Sequence, residues 1–261
     1  MAVSVSVIMP TYNCGNYIAA SIDSVIAQTF TDWEIEIADD CSTDNTVEIL
    51  RPYLEKYPNI HYSRLPQNGG PAAARNEAIR RASGKYCAFL DSDDLWTPDK
   101  LEKQIAFMEK TGAIFSCTAY RQIDANGNDL HTVMIPPNKT TYQKCIRLSN
   151  PIGSLTAMYD QDALGKFEVP SIRKRNDFAL WLQVLKRTRY CYGMEDVLAV
   201  YRRGRNMSVS SNKLAQAKYH WQLYHEIEGH DAARSMYELG CWAFVKGTGI
   251  GLKKKTVKEK Q

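Results

Sequence analysis

The sequence lacks several features that would narrow its class at once. Its 261 residues contain no CxxC pair, no internal repeat and no low-complexity linker. The seven cysteines, Cys14, Cys41, Cys87, Cys117, Cys145, Cys191 and Cys241, are widely spaced and odd in number, which gives no support to a zinc ribbon or a redox motif. Several sit in apolar runs, for example Tyr86-Cys87-Ala88-Phe89-Leu90, and read as buried free thiols of a reducing compartment. The N-terminus has no basic segment followed by a long apolar stretch, so no signal peptide is expected. No window of about 18 uninterrupted apolar residues occurs, so no transmembrane helix is expected. Together these absences point to the cytoplasm and make the sequons Asn138-Lys139-Thr140 and Asn206-Met207-Ser208 accidental. Charge of one sign is scarce too. A net charge of +4 makes no case for a nucleic-acid partner.

What is present is ordinary for a globular chain: 44% hydrophobic and 24% charged residues, enough to build a sizeable core. The positive charge is uneven. Residues 246–261 carry Lys246, Lys253, Lys254, Lys255, Lys258 and Lys260 against a single Glu259. Such a run reads first as a solvated, frayed terminus. Its functional alternative is weak attachment to an anionic membrane surface, at about 1 kcal/mol per basic residue.

The first half alternates strand-like and helix-like segments. Residues 3–9 are β-rich and stop at Pro10. Residues 16–30 place Ile18, Ile22, Val25 and Ile26 on one helical face. Residues 33–38 read as a second strand, followed by a helix capped by Ser42 or Thr43. Residues 59–65 suit a third strand, and Pro71 opens a helix over 72–82. The short apolar run 86–90 suits a central buried strand, and Thr97-Pro98 starts another helix. Alternation of this kind predicts an α/β fold with a mostly parallel sheet and helices on both faces. The second half is less regular. It offers strands near 113–121, 155–159 and 195–201, a turn at 124–128, a loop over 136–142, and helices near 178–187 and 213–229.

Parallel sheets bind ligands beyond the carboxyl ends of their strands, and polar residues gather at those ends here. Pro10-Thr11-Tyr12-Asn13 follows the first strand, Asp39-Asp40 the second, and Asp91-Ser92-Asp93-Asp94 the apolar run. In an extended segment residues i and i+2 face the same way. Asp91 and Asp93 then aim at one hard cation such as Mg²⁺ or Mn²⁺, which bridges to diphosphate oxygens. The plainer reading is an acidic turn capping the next helix. Asp40 is a carboxylate beyond what capping needs, and it suits the N–H of a pyrimidine base. Arg75, in the helix opened by Pro71, reads either as a surface charge or as a phosphate contact.

Taken together, the blocks Val5-Ser6-Val7-Ile8-Met9-Pro10-Thr11-Tyr12-Asn13, Asp39-Asp40-Cys41-Ser42-Thr43-Asp44-Asn45-Thr46, Asn68-Gly69-Gly70-Pro71-Ala72-Ala73-Ala74-Arg75-Asn76 and Asp91-Ser92-Asp93-Asp94 resemble the family 2 glycosyltransferases with the GT-A fold. Further on, Asn176-Asp177-Phe178-Ala179-Leu180-Trp181 resembles the family's acidic dipeptide near the acceptor site. Leu198-Ala199-Val200-Tyr201-Arg202 with Ser208-Val209-Ser210 resembles its closing segment. The resemblance implies a Rossmann-like sheet with a smaller irregular acceptor-side region and C-terminal helices. It implies that residues 1–110 bind the nucleotide-sugar, that 111–210 form the acceptor-side half of the same domain, and that 211–261 are a helical extension with a basic tail. It further implies that Thr11, Tyr12 and Asp40 hold the base, with Pro10, Asn13 and Ser92 beside them. Arg75 would contact base or phosphate. Asp91 would reach the ribose and metal, Asp93 would ligate Mn²⁺ or Mg²⁺, and Asp177 would be the general base. Where the family usually carries Glu-Asp, this chain has Asn176-Asp177. Cys41 replaces a common Gly and reads as neutral.

The implied activity is inverting transfer of a sugar from a nucleotide-diphosphate donor, a UDP-sugar first among them. The implied acceptor is a glycan or lipid-linked glycan, with peripheral contact at the inner membrane face through the basic C-terminus. The chemistry is self-consistent, since a carboxylate activates the acceptor hydroxyl and a cation neutralises the departing diphosphate. One rival is a nucleotidyltransferase, which needs a Gly-rich basic loop after the first strand that is missing here. A second is a catalytically inactive glycan-binding or scaffold module, for which Asn176 is the only hint. His220, His225 and His230 recur every five residues and scatter round a helix rather than forming a metal site. Gly247-Thr248-Gly249-Ile250-Gly251 lacks the strand-helix-strand context of a dinucleotide loop.

Overall fold

The computed structural model describes residues 3–148, 150–204, 213–248 and 253–256. The first half follows the predicted alternation: β1 (Val5–Thr11), α1 (Ile18–Ile26), β2 (Trp33–Asp39), α2 (Thr46–Lys56), β3 (Ile60–Arg64), α3 (Gly70–Arg81), β4 (Tyr86–Phe89), the two-residue β5 (Leu95–Trp96) and α4 (Lys100–Thr111). Local chemistry accounts for these segments. β1 and β2 are buried along their whole length, as strands inside a parallel sheet are. On α1, Ile18, Ile22 and Val25 recur at helical spacing and are buried. Pro71 lies in the first turn of α3, where its missing N–H costs nothing. α4 stops at Gly112, whose φ of 66° is the left-handed stop that glycine adopts without strain.

The second half continues with β6 (Phe115–Ile123), β7 (Asp129–Ile135), β8 (Lys139–Thr140), α5 (Tyr142–Arg147), β9 (Met158–Asp160), α6 (Gln161–Leu164), α7 (Asn176–Arg187), β10 (Cys191–Arg202), α8 (Lys213–Gln222), α9 (Ala232–Thr248) and β11 (Lys253–Thr256). All strands share one sheet, ordered β11-β7-β6-β9-β4-β1-β2-β3 along its main path. β4, β1, β2 and β3 run parallel. β9 lies antiparallel between β4 and β6, and the long β10 runs parallel to β6. Because the chain leaves β1 toward β2 on one side and returns to β4 on the other, a crevice opens beyond the carboxyl ends of β1 and β4. Two cores cover the faces of the sheet. One gathers Ile18, Ile22, Leu50, Leu101 and Met108. The other centres on the fully buried Trp181, which meets Phe89 edge-on at 4.9 Å and Phe115 at 5.7 Å.

Several expectations need correcting. Neither Ser42 nor Thr43 caps α2. The helix starts at Thr46 behind Asn45, and the Ser42 hydroxyl turns back to Asp39 at 2.6 Å. The stretch 155–159 begins as a 3-10 turn over Ser154–Thr156 before β9. The helix expected over 213–229 gives way to a π-helical turn at Leu223–Ile227. The basic tail is not wholly frayed, since Lys253–Thr256 pair antiparallel with β7. The loop expected over 136–142 contains the short β8. β5, β7, α5, α6 and β11 match no expected segment, whereas α9 lies within the helical extension expected over 211–261. Ser208-Val209-Ser210, the second sequon and Gly249-Ile250-Gly251 lie outside the described residues. None of the seven cysteines is in a disulfide, and burial pushes the Cys87 thiol up to about 12.

Candidate active site

The crevice is floored by three turns that hold one another. Asn13, at a φ of 46°, donates its N–H to Ser42 Oγ at 2.9 Å, and its amide oxygen accepts from the Thr43 N–H at 2.7 Å. The turn after β1 is thereby locked to the turn after β2, and Asn13 is occupied within the protein. Asp39 is buried and accepts from the Ser42 N–H and hydroxyl and from the Tyr62 hydroxyl. Asp40 is buried too. Its carboxylate accepts from the N–H groups of Gly69 at 2.6 Å and Gly70 at 2.8 Å. Asp40 therefore sets the glycine turn that starts α3. Each of its oxygens keeps one lone pair for a further donor. Pro10 is buried in β1, the buried Thr11 hydroxyl has no hydrogen-bond partner among the described residues, and the Tyr12 ring is exposed.

Cys41 is not neutral. Its φ of 65° is left-handed, where a side chain is strained and glycine is not. Its thiol donates to the Leu65 carbonyl at 3.0 Å.

The segment Asp91-Ser92-Asp93-Asp94 is a turn and not extended, because the Asp94 N–H donates to the Asp91 carbonyl at 3.0 Å. Burial nonetheless alternates. Asp91 and Asp93 are part-exposed, whereas Ser92 and Asp94 are buried. Ser92 is thus withdrawn from the crevice. Asp94 points inward and accepts from the Arg202 N–H at 2.8 Å. Burial, then the charges of Asp93 and Asp91, hold its carboxyl well above the usual carboxylate range. Arg202 fastens the turn a second time through Nε to the Asp93 carbonyl at 3.0 Å, with its guanidinium over the Tyr17 ring at 4.9 Å.

Arg75 is not a free phosphate contact at a helix N-terminus. It lies one and a half turns into α3, buried, and donates to Asp91 Oδ1 at 2.7 Å and to the Asn176 amide oxygen. The two partners come from the acidic turn and from the first residue of α7. The neutral Asn176 accepts one hydrogen bond without cancelling the arginine charge. Asp177 follows it, half-buried. Among the described residues no hydrogen bond or ion pair engages its carboxylate, and α7 has no side-chain cap.

Tyr120 and Tyr201 were not singled out from the sequence. Their rings meet edge-on at 6.0 Å. Burial first, then the charge of Asp94 with a smaller push from Asp177, lifts the Tyr120 hydroxyl to about 12. The charges of the acidic turn and of Asp177 thus both act on the Tyr120 hydroxyl. Its place on β6 leaves no local signal, because only the sheet brings it here.

A family model described as glycosyl transferase family 2 matches residues 6–167. The chain belongs to the family 2 glycosyltransferases. It is 43% identical over 251 residues to TuaG of Bacillus subtilis (strain 168), named for teichuronic acid biosynthesis, covering 96% of this chain and 97% of that one. It is 36% identical over 236 residues, 90% of each chain, to WfgD of Escherichia coli, named as a UDP-Glc:alpha-D-GlcNAc-diphosphoundecaprenol beta-1,3-glucosyltransferase. Among solved structures, residues 1–349 of S. aureus TarS in complex with UDP-GlcNAc align with a TM-score of 0.69 at 24% identity, covering 90% of this chain and 70% of that one. The shared fold is GT-A.

Proposed function

We propose that this glycosyltransferase moves a sugar from a UDP-sugar to a lipid-linked glycan acceptor with inversion at the anomeric carbon. The observation that carries the reading is the pair of unlike carboxylate sets across the crevice. On one side Asp40, Asp91 and Asp93 sit on turns fixed by backbone N–H groups and arginines. On the other, Asp177 has no hydrogen-bond or ion-pair partner among the described residues. The donor names of relatives such as WfgD support UDP, and its diphosphoundecaprenol acceptor supports a lipid-linked glycan.

In this reading Tyr12 lies against the base, while Thr11 and the spare lone pairs of Asp40 bond its edge. Asp91 and Asp93 suit a Mg²⁺ or Mn²⁺ ion. Both are hard oxygen ligands, part-exposed on one turn, and the turn does not gather three carboxylates round one point. Such an open set leaves most coordination positions to diphosphate and water. When bound, the ion neutralises charge on the departing diphosphate. Arg75 holds Asp91 toward the crevice. Asp177 takes the proton from the acceptor hydroxyl as its oxygen bonds to the anomeric carbon and the bond to UDP breaks. Attack from the face opposite UDP inverts that carbon. Tyr120 and Tyr201 border the space between the two carboxylate sets and suit an acceptor sugar face.

The test pairs donor binding with turnover across a panel of UDP- and GDP-sugars, with and without Mn²⁺. Asp177→Asn is expected to lower transfer about 1,000-fold while UDP affinity stays within about twofold. Lost UDP binding would overturn the role given to Asp177. No nucleotide release from any donor by folded wild-type protein would favour a glycan-binding module instead.

A further inference from the structure

α9 presents large apolar side chains to water as well as to the core. Inward it buries Ser235, Glu238 and Val245 and packs Leu239 on the core, while its outward positions carry Met236 (66% exposed), Tyr237 (59%) and Phe244 (65%), with Ala233, Gly240, Ala243 and Gly247 between them. A surface helix ordinarily keeps its outward face polar. The inward polar groups are satisfied: Glu238 accepts from His230 at 2.7 Å and from Arg234 at 3.1 Å. The outward orientation is therefore fixed by a bonded network. The neighbouring α5 extends the same surface. Leu148 at its end is 48% exposed, and the Arg147 guanidinium lies 6.0 Å from the Tyr237 ring.

The charges on this surface have one sign. The exposed ionisable side chains of α5 and α9 are Lys144, Arg147, Arg234 and Lys246, and neither helix has an exposed acid. Asp231, just before α9, is used in capping it, accepting from the Arg234 N–H at 2.8 Å. An apolar stripe flanked by cations matches the interface of an anionic bilayer, where apolar side chains sink among the acyl chains and cations stay with the phosphates. A second copy of the chain fits poorly. Two-fold pairing across this stripe would bring each cationic flank against its own kind. No described helix is long and apolar enough to cross a membrane, so the helix lies on the surface and does not span it. α5 packs on both α9 and α7, and α7 carries Asp177 at its start.

We propose that the outward face of α9, with the end of α5, is the surface by which this protein docks on anionic phospholipid bilayers. Contact then runs through a folded helix and not through the basic tail alone. The inference deepens the proposed function and rests on it for the acceptor's place in the membrane, but not for the geometry of the face.

The full chain is sedimented with vesicles of phosphatidylglycerol and phosphatidylcholine, and with phosphatidylcholine alone, in the absence of any sugar. The wild type is expected to pellet with the anionic vesicles and to be released as salt rises. Met236→Ser with Phe244→Ser is expected to weaken partitioning at least about tenfold, with unchanged melting and unchanged donor-dependent UDP release in vesicle-free solution. Arg147→Glu with Lys246→Glu is expected to weaken binding to anionic vesicles only. Wild-type protein that stays in the supernatant, or a serine variant that pellets like wild type, overturns the proposal. So does a wild-type dimer, by light scattering, that Phe244→Ser dissolves, since a second copy would then cover the face. Vesicle binding without any UDP release sinks the glycosyltransfer reading and leaves the docking surface standing.

Discussion

The two walls of the crevice treat their carboxylates in opposite ways. On the wall made by β1, β2, β4 and α3, Asp39 and Asp40 are buried with every oxygen engaged, and Asp91 is held by Arg75. On the wall made by α7 and β6, Asp177 is half-exposed and unengaged. A carboxylate that shapes a turn must be satisfied, because an unpaired buried charge is expensive. A carboxylate that moves a proton needs its lone pairs open. In the proposed function, the contrast sets the residues proposed to hold the donor apart from Asp177, the residue proposed to work on the acceptor.

The contrast breaks if the two walls respond alike to substitution. Asp40→Ala leaves the N–H groups of Gly69 and Gly70 without their acceptor and is expected to cost about 3 kcal/mol of stability, read by urea melts, with UDP binding weakened as well. A melt unchanged from wild type would show that the first wall is not built on Asp40. Asp177→Asn should leave the melt where it was.

Acid sharpens the comparison from the other side. The His220 ring lies on α8 between Phe178 of α7 and Trp242 of α9. Burial, helped by Arg175 and Lys246, pushes its pKa down from 6.5 to about 3. The folded protein keeps this ring neutral while the unfolded chain takes a proton below 6.5. Stability is therefore full above that value and is lost as pH falls from 6.5 toward 3. About 2 kcal/mol should be gone at pH 5 relative to pH 7. Melts at the two pH values measure it, and His220→Phe should flatten the difference. If that variant keeps the full acid loss, the helical layer behind Asp177 is not what acid loosens.

The smallest effect belongs to Cys41. Replacement by glycine relieves the left-handed strain, loses the thiol contact to Leu65 and adds freedom to the unfolded chain. The net expectation is a gain of about 0.5 kcal/mol by thermal melting. A loss instead would mean that the thiol contact outweighs the strain.

The first wall was legible because its signals are local. The apolar runs of β1 and β4, the alternating Trp33, Ile35 and Ile37 of β2, the helical spacing on α1, and Pro71 at the start of α3 each specify their segment within a few residues. The four blocks that carry the family resemblance all lie within that wall. The second wall is made by long-range pairing. Arg75 and Asn176 are 101 residues apart, and Arg202 fastens Asp94 from 108 residues away. Neither bond leaves a trace in the neighbouring sequence. Tyr120 becomes visible only when the sheet sets β6 beside β10. The left-handed φ of Cys41 was masked by reading a substitution for glycine as a change of side chain and not of backbone.

The pairing of Lys253–Thr256 with β7 bears on how the protein should be handled. A sheet ends in a row of open N–H and C=O groups, and such a row recruits whatever strand comes near. Here β11 covers residues 132–135 of β7, the end of that strand that runs into the core. A chain cut back before Lys253, on the view that a lysine-rich end is dispensable, would lay that edge bare. The shortened protein would then be the aggregation-prone one, although the segment it had lost is mostly lysine.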